Sequence, residues 1–75
     1  MYSNRDNIDL KKIGRRIRSI RENLNLTQAQ VAFELGTSTK HYQRIEYGSI
    51  NSGILNFYKL AKIFDVQIFE ILPLN

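Results

Sequence analysis

Residues 26–48, LTQAQVAFELGTSTKHYQRIEYG, constrain this chain more than any other stretch. Thr27 is a good helix N-cap, and Gln30 follows three residues later to complete a capping box. Leu26 and Val31 occupy the staple positions on either side of that cap. Gly36 supplies the positive φ that commonly closes a helix, and Ser38, two residues on, is a second N-cap. Gly48 closes the second helix as Gly36 closes the first. Two helices with so few residues between them cannot lie antiparallel side by side, so they cross at a steep angle.

The flanking segments supply helices to pack against this pair. Residues 1–8 carry no periodicity and read as a flexible segment, with residues 9–75 forming a single domain. Asp9 is the expected N-cap of a first helix, along which Leu10, Ile13, Ile17, Ile20 and Leu24 recur at spacings of three and four. Gly14 interrupts that helix at a cost of about 1 kcal/mol against alanine, which implies a packing reason. Asn23 and Asn25 mark its end. In the second helix Val31, Ala32 and Leu35 point inward and Phe33 outward; in the third, Tyr42 and Ile45 are the buried pair. Ser52 is expected to cap a fourth helix that turns Ile54, Phe57, Leu60, Ala61 and Phe64 inward and breaks at Asp65. A fifth, over about 67–72, is stopped by Pro73. Strand signals are nearly absent, so the fold class is all-α.

With 75 residues the chain has room for one domain and a small core. It has no cysteine, which removes disulfides and thiolate metal sites and fits a cytoplasmic location. The apolar runs are too short to span a membrane, and the N-terminus has no secretory h-region. One histidine, no paired carboxylates at motif spacing and no glycine-rich phosphate loop give no enzyme signature, and nothing signals a cofactor, a metal or a small-molecule ligand.

The net charge of +4 is unevenly spread: seven of the eleven basic residues precede residue 25. Such an excess favours an anionic partner, with a merely solvated basic face as the alternative. At 100° per residue Lys40, Gln43, Arg44 and Tyr47 share the outer side of the third helix, flanked by Thr39 and His41. A steep helix pair whose second member is polar outward has helix-turn-helix geometry, and that helix can enter the major groove of duplex DNA.

Residues 13–72 resemble the phage-repressor-like helix-turn-helix domains of the Cro/C1 or XRE type. The matching words are LTQAQVAFELG, TSTKHYQRIEYG and LNFYKLAKIFDVQIFEIL. The resemblance implies five helices in a lambda-repressor-like fold, with the second and third as the reading unit. It implies that Gln28 anchors to a phosphate and that Ser38, Thr39, Lys40, Gln43 and Arg44 face the groove. It also implies an orienting ion pair between Arg21 and Glu46. The chain departs from the pattern in several places. Ser52 stands where the family usually has proline, and Ser49, Ile50 and Asn51 replace a more basic loop. Tyr42 replaces an aliphatic core residue, Gln67 a serine cap and Phe69 an acidic residue.

Each of these residues also has a plainer reading. Lys40 and Arg44 suit bidentate guanine contacts or are solvated charges; Gln43 suits adenine or is an ordinary exposed glutamine. Gln28 is either a phosphate ligand or a first-turn residue. His41, Tyr47 and Asn51 are candidate phosphate contacts or packed surface residues. Leu55, Tyr58, Ile63 and Phe69 make the C-terminal third more apolar than a small monomer needs, and they form the candidate homodimer surface. The expected function is a transcriptional regulator that binds double-stranded DNA at a palindromic operator as a homodimer. The rival is a protein–protein adaptor or antitoxin-like module that keeps the fold.

Overall fold

The computed structural model describes residues 9–72; the expectations for residues 1–8 and for Pro73 lie outside them. The Asp9 carboxylate accepts the Lys12 backbone N–H at 3.0 Å and opens helix α1, Leu10–Asn23. Thr27 and Gln30 close both halves of their capping box at the start of α2, Gln28–Leu35. Ser38 accepts the His41 N–H to begin α3, Thr39–Tyr47. Gly36 and Gly48 end α2 and α3 with φ of 84° and 72°. Helix α4, Ile54–Phe64, ends on Asp65 in the left-handed conformation. The described residues contain no strand, and none of their helices is long and apolar enough to cross a membrane.

Ile13 and Ile17 of α1, Val31 and Ala32 of α2, Tyr42 and Ile45 of α3, and Phe57, Leu60 and Phe64 of α4 form one core, closed below by Ile71. Two glycines let α1 and α3 approach closely. A Cβ on Gly14 would come within 2.2 Å of the Glu46 carbonyl oxygen, and one on Gly48 within 2.6 Å of the Lys11 Cα. Gly14 is therefore the contact point of α1 on the back of α3, which accounts for a residue that weakens its own helix.

Four expectations need correction. The fifth helix is only a three-residue 3-10 turn, Ile68–Glu70, among the described residues; its N-cap Gln67 donates its backbone N–H to the Glu70 carboxylate in a capping box, and Ile71 and Leu72 bond back to Ile68 without extending the helix. Ser52 does not cap α4. Asn51 accepts the Gly53 N–H at 3.0 Å, which moves the cap position to Gly53, and the buried Ser52 hydroxyl has no partner among the described residues. Leu24 is exposed because α1 ends at Asn23, and Leu26 takes the inward place after the turn. Ile54 is exposed at the first position of α4, at the margin of the arc that Phe57 and Phe64 centre.

Candidate nucleic-acid interface

The outward side of α3 stands clear of the body. Thr39, Lys40, Arg44 and Tyr47 are exposed, and neither Lys40 nor Arg44 has an ion-pair partner among the described residues. Ser38 is exposed too, with its oxygen accepting the His41 N–H and its hydroxyl hydrogen still available. His41 is half-buried. Asn51 uses its side-chain carbonyl on Gly53, so only its amide nitrogen remains to meet a phosphate.

Behind this face lies a buried polar cluster. The Glu46 side chain is 1% exposed and that of Arg21 11%. Arg21 grips the carboxylate with two nitrogens, Nε to Oε2 at 2.6 Å and Nη2 to Oε1 at 3.3 Å, and donates from Nη1 to the Leu26 carbonyl at 2.9 Å. The Tyr42 hydroxyl also donates to Oε2. Gln28 Nε2 donates to Oε1 at 3.1 Å, and Gln43 Nε2 donates in turn to Gln28 Oε1 at 3.0 Å. Burial acts against the charged form of Glu46, but the hydrogen bonds from Arg21, Tyr42 and Gln28 and the guanidinium charge outweigh it and hold the carboxyl below its usual range. The hydrogen bond to Glu46 raises Arg21 despite its desolvation. Burial, then the bond to Glu46 and its charge, push the Tyr42 phenol above its ordinary value.

At the start of α2, Arg18, Thr27, Gln28 and Tyr47 surround a shallow polar recess, with Arg21 and Leu26 at its base. Free backbone N–H groups and the positive end of the helix dipole favour an anion at such a place. Arg18 reaches this recess from α1 while pairing with Glu22 at 3.1 Å. Sequence reasoning counted Arg18 only among the basic residues before position 25, because the turn that brings the start of α2 beside it is not visible in spacing.

The candidate dimer residues divide. Leu55, Tyr58 and Phe69 are 74%, 54% and 59% exposed. Ile63 is half-buried against the core and borders an apolar groove between α2 and α4, on the side of Phe33 and Leu26. It therefore does not share the outward face of Leu55 and Tyr58. Among the described residues no cluster of three histidine, cysteine, aspartate or glutamate side chains is arranged to hold a metal.

The family profile described as helix-turn-helix matches residues 17–71, which takes in the end of α1, the crossed pair and α4. The chain belongs to the Cro/C1-type helix-turn-helix family. This is a family of DNA-binding transcription regulators. The restriction-modification controller protein C.AhdI from Aeromonas hydrophila is 33% identical, with a TM-score of 0.81 over 85% of this chain and 97% of that one. ClgR, the clp gene regulator of C. glutamicum, superposes at 0.80 with 14% identity over 88% of this helix-turn-helix chain and 86% of its own. The DNA-binding domain of BldD superposes at 0.77 with 22% identity over 87% and 94%. The last two establish likeness of fold alone. No curated protein matches by sequence comparison.

Proposed function

We propose that this helix-turn-helix protein represses or activates transcription by occupying a palindromic operator as a homodimer, with α3 of each copy in a major groove. The observation that carries the reading is the outward side of α3, where Lys40 and Arg44 project unpaired from a helix held rigidly from behind. Arg44 suits the O6 and N7 of guanine, Lys40 a base edge or phosphate, and Thr39 a thymine methyl or phosphate. Gln28, with Arg18 and Tyr47 around it, receives the phosphate that sets the depth of docking. Leu55, Tyr58 and Phe69 supply apolar surface for a second copy. A two-fold pair would set the two α3 helices about 34–36 Å apart, one turn of DNA. Among the roles open to a small regulator, control of a restriction–modification locus is favoured by the 33% identity to C.AhdI.

Selection of duplexes from a random pool, followed by titration at several salt concentrations, tests this. The expected result is a two-fold symmetric site whose affinity falls by about 0.9 log units per log unit of salt for each neutralised phosphate. Replacing both Lys40 and Arg44 with alanine should cost about 1–3 kcal/mol for each lost base contact. Unchanged affinity in that double variant would end the proposal. If no duplex is retained even at low salt, the adaptor reading stands instead, for which the exposed Leu55, Tyr58 and Phe69 are the relevant surface.

A further inference from the structure

Glu46 does more in this arrangement than tie α3 to α1. An ionised carboxylate can only accept hydrogen bonds. The Arg21 guanidinium, bonded to it at two points, keeps it ionised. Whatever part of Gln28 faces Glu46 Oε1 at 3.1 Å must therefore be its NH2 group, and the carbonyl end must point the other way. That carbonyl is what Gln43 meets at 3.0 Å, so Gln43 in turn must present its own NH2 to Gln28. The donor and acceptor ends of both amides, usually interchangeable by a flip, follow from one buried negative charge. One N–H of Gln43 is consumed by Gln28. What remains for the α3 face is one acceptor, Oε1, and one donor, the second Nε2 hydrogen.

We infer that Glu46 is a positioning residue for base choice, fixing through Gln28 the polarity of the Gln43 amide so that it favours adenine over guanine. Adenine offers the major groove an acceptor, N7, and a donor, the N6 amino group, which match the one donor and one acceptor left on Gln43. Guanine offers two acceptors, N7 and O6, and Gln43 has a single N–H to give them. A flip of Gln43 would free both N–H groups for guanine, but it would set its carbonyl against the Gln28 carbonyl. Gln28 could relieve that only by turning its own carbonyl onto the Glu46 carboxylate. The inference rests on the proposed docking of α3 in the groove and adds the source of discrimination at one base.

The test uses the full chain and the duplex chosen from the random pool. The base read by Gln43 is the one whose preference disappears in Gln43→Ala. At that base, exchanging adenine for guanine should weaken wild-type binding by about five- to hundredfold. In Glu46→Gln the buried group can donate as well as accept, so both glutamines are free to turn and the exchange should cost no more than about threefold, with preferences at neighbouring bases retained. Gln28→Met leaves the Arg21–Glu46 pair intact while cutting the link to Gln43, and it should lower the same penalty. It decides the matter if Glu46→Gln does not fold. A full adenine-over-guanine penalty in a folded Glu46→Gln or in Gln28→Met overturns the inference and leaves the docking proposal standing. A Gln43→Ala protein with unaltered preferences at every base, or guanine preferred by the wild type at the Gln43 base, also overturns it. Failure of the wild type to retain any duplex overturns both.

Discussion

The Glu46 side chain lies on the inner side of α3, each of its oxygens accepting two hydrogen bonds from among Arg21, Gln28 and Tyr42, whereas Leu55 and Tyr58, on the outward side of α4, meet mainly solvent. The first region packs glycine against backbone and leaves no room for a methyl group. The second is loosely made: α4 starts without a side-chain cap, the neighbouring Ser52 hydroxyl has no partner among the described residues, and the Lys62 ammonium lies 5.8 Å from the centre of the half-exposed Tyr58 ring. The contrast separates two kinds of work. The seam between α1 and α3 holds a helix in one orientation, and the polar groups of Arg21 and Glu46 are hydrogen-bonded inside the chain. The α4 face has no such internal matching, and its apolar groups Leu55 and Tyr58 stand open to solvent.

The contrast is sharpest where a partner is removed from the seam. Arg21→Met leaves the Glu46 carboxylate buried and uncompensated, and should destabilise the fold by about 3–5 kcal/mol in urea titration. A value near zero would mean the seam is as loose as the α4 face. Gly14→Ala is next. Its new methyl meets the backbone of Glu46, which cannot rotate away as a side chain can, and the loss should lie at the upper end of about 1–3 kcal/mol despite the better helix former.

The pH dependence of stability separates the regions differently. Glu46 has its carboxyl held below the ordinary 4.5 in the fold, so its contribution is complete above that pH and fades as the pH falls through the lower folded value. Tyr42 is raised above 10.0, so its contribution is complete below pH 10 and is lost as the pH climbs beyond. Tyr42→Phe should cost about 1.5–3 kcal/mol at neutral pH and flatten the alkaline arm of a urea-midpoint profile. The smallest change in stability belongs to α4. Leu55→Lys with Tyr58→Lys should shift the midpoint of a dilute sample by no more than about 0.5 kcal/mol, while abolishing concentration-dependent association in sedimentation. Unaltered association would place the dimer contact elsewhere.

The helix ends were legible because caps act over three residues: Asp9 to Lys12, Thr27 to Gln30 and Ser38 to His41 each pair a side chain with a nearby backbone group. The apolar inward residues of α2 and α3 were legible from period alone, whereas the buried Glu46 followed only from the family resemblance. Failures came where two local signals competed or where the partner is far along the chain. Asn51 and Ser52 both suit the entry to α4, and the Asn51 turn onto Gly53 prevails. The short 3-10 turn carries a helix-like pattern without the length to propagate it. Gly14 could be seen to need a reason, but the reason lies 32 positions away in Glu46. The same holds for the site. The outer face of α3 follows from 100° per residue, whereas the bond of Gln43 to Gln28, and of Gln28 to Glu46, depends on how three helices cross.

The brevity of α3 limits how much text one copy can read. Nine residues advance about 13.5 Å along the helix axis, roughly four base-pair steps of B-form DNA. A word of about four letters recurs by chance every few hundred base pairs, while a genome presents on the order of 10⁶ or more competing positions. On the proposed docking a single molecule is thus illiterate at genomic scale, and the proposed pair would have to spell any useful address jointly, with the spacing of the two copies as part of the message.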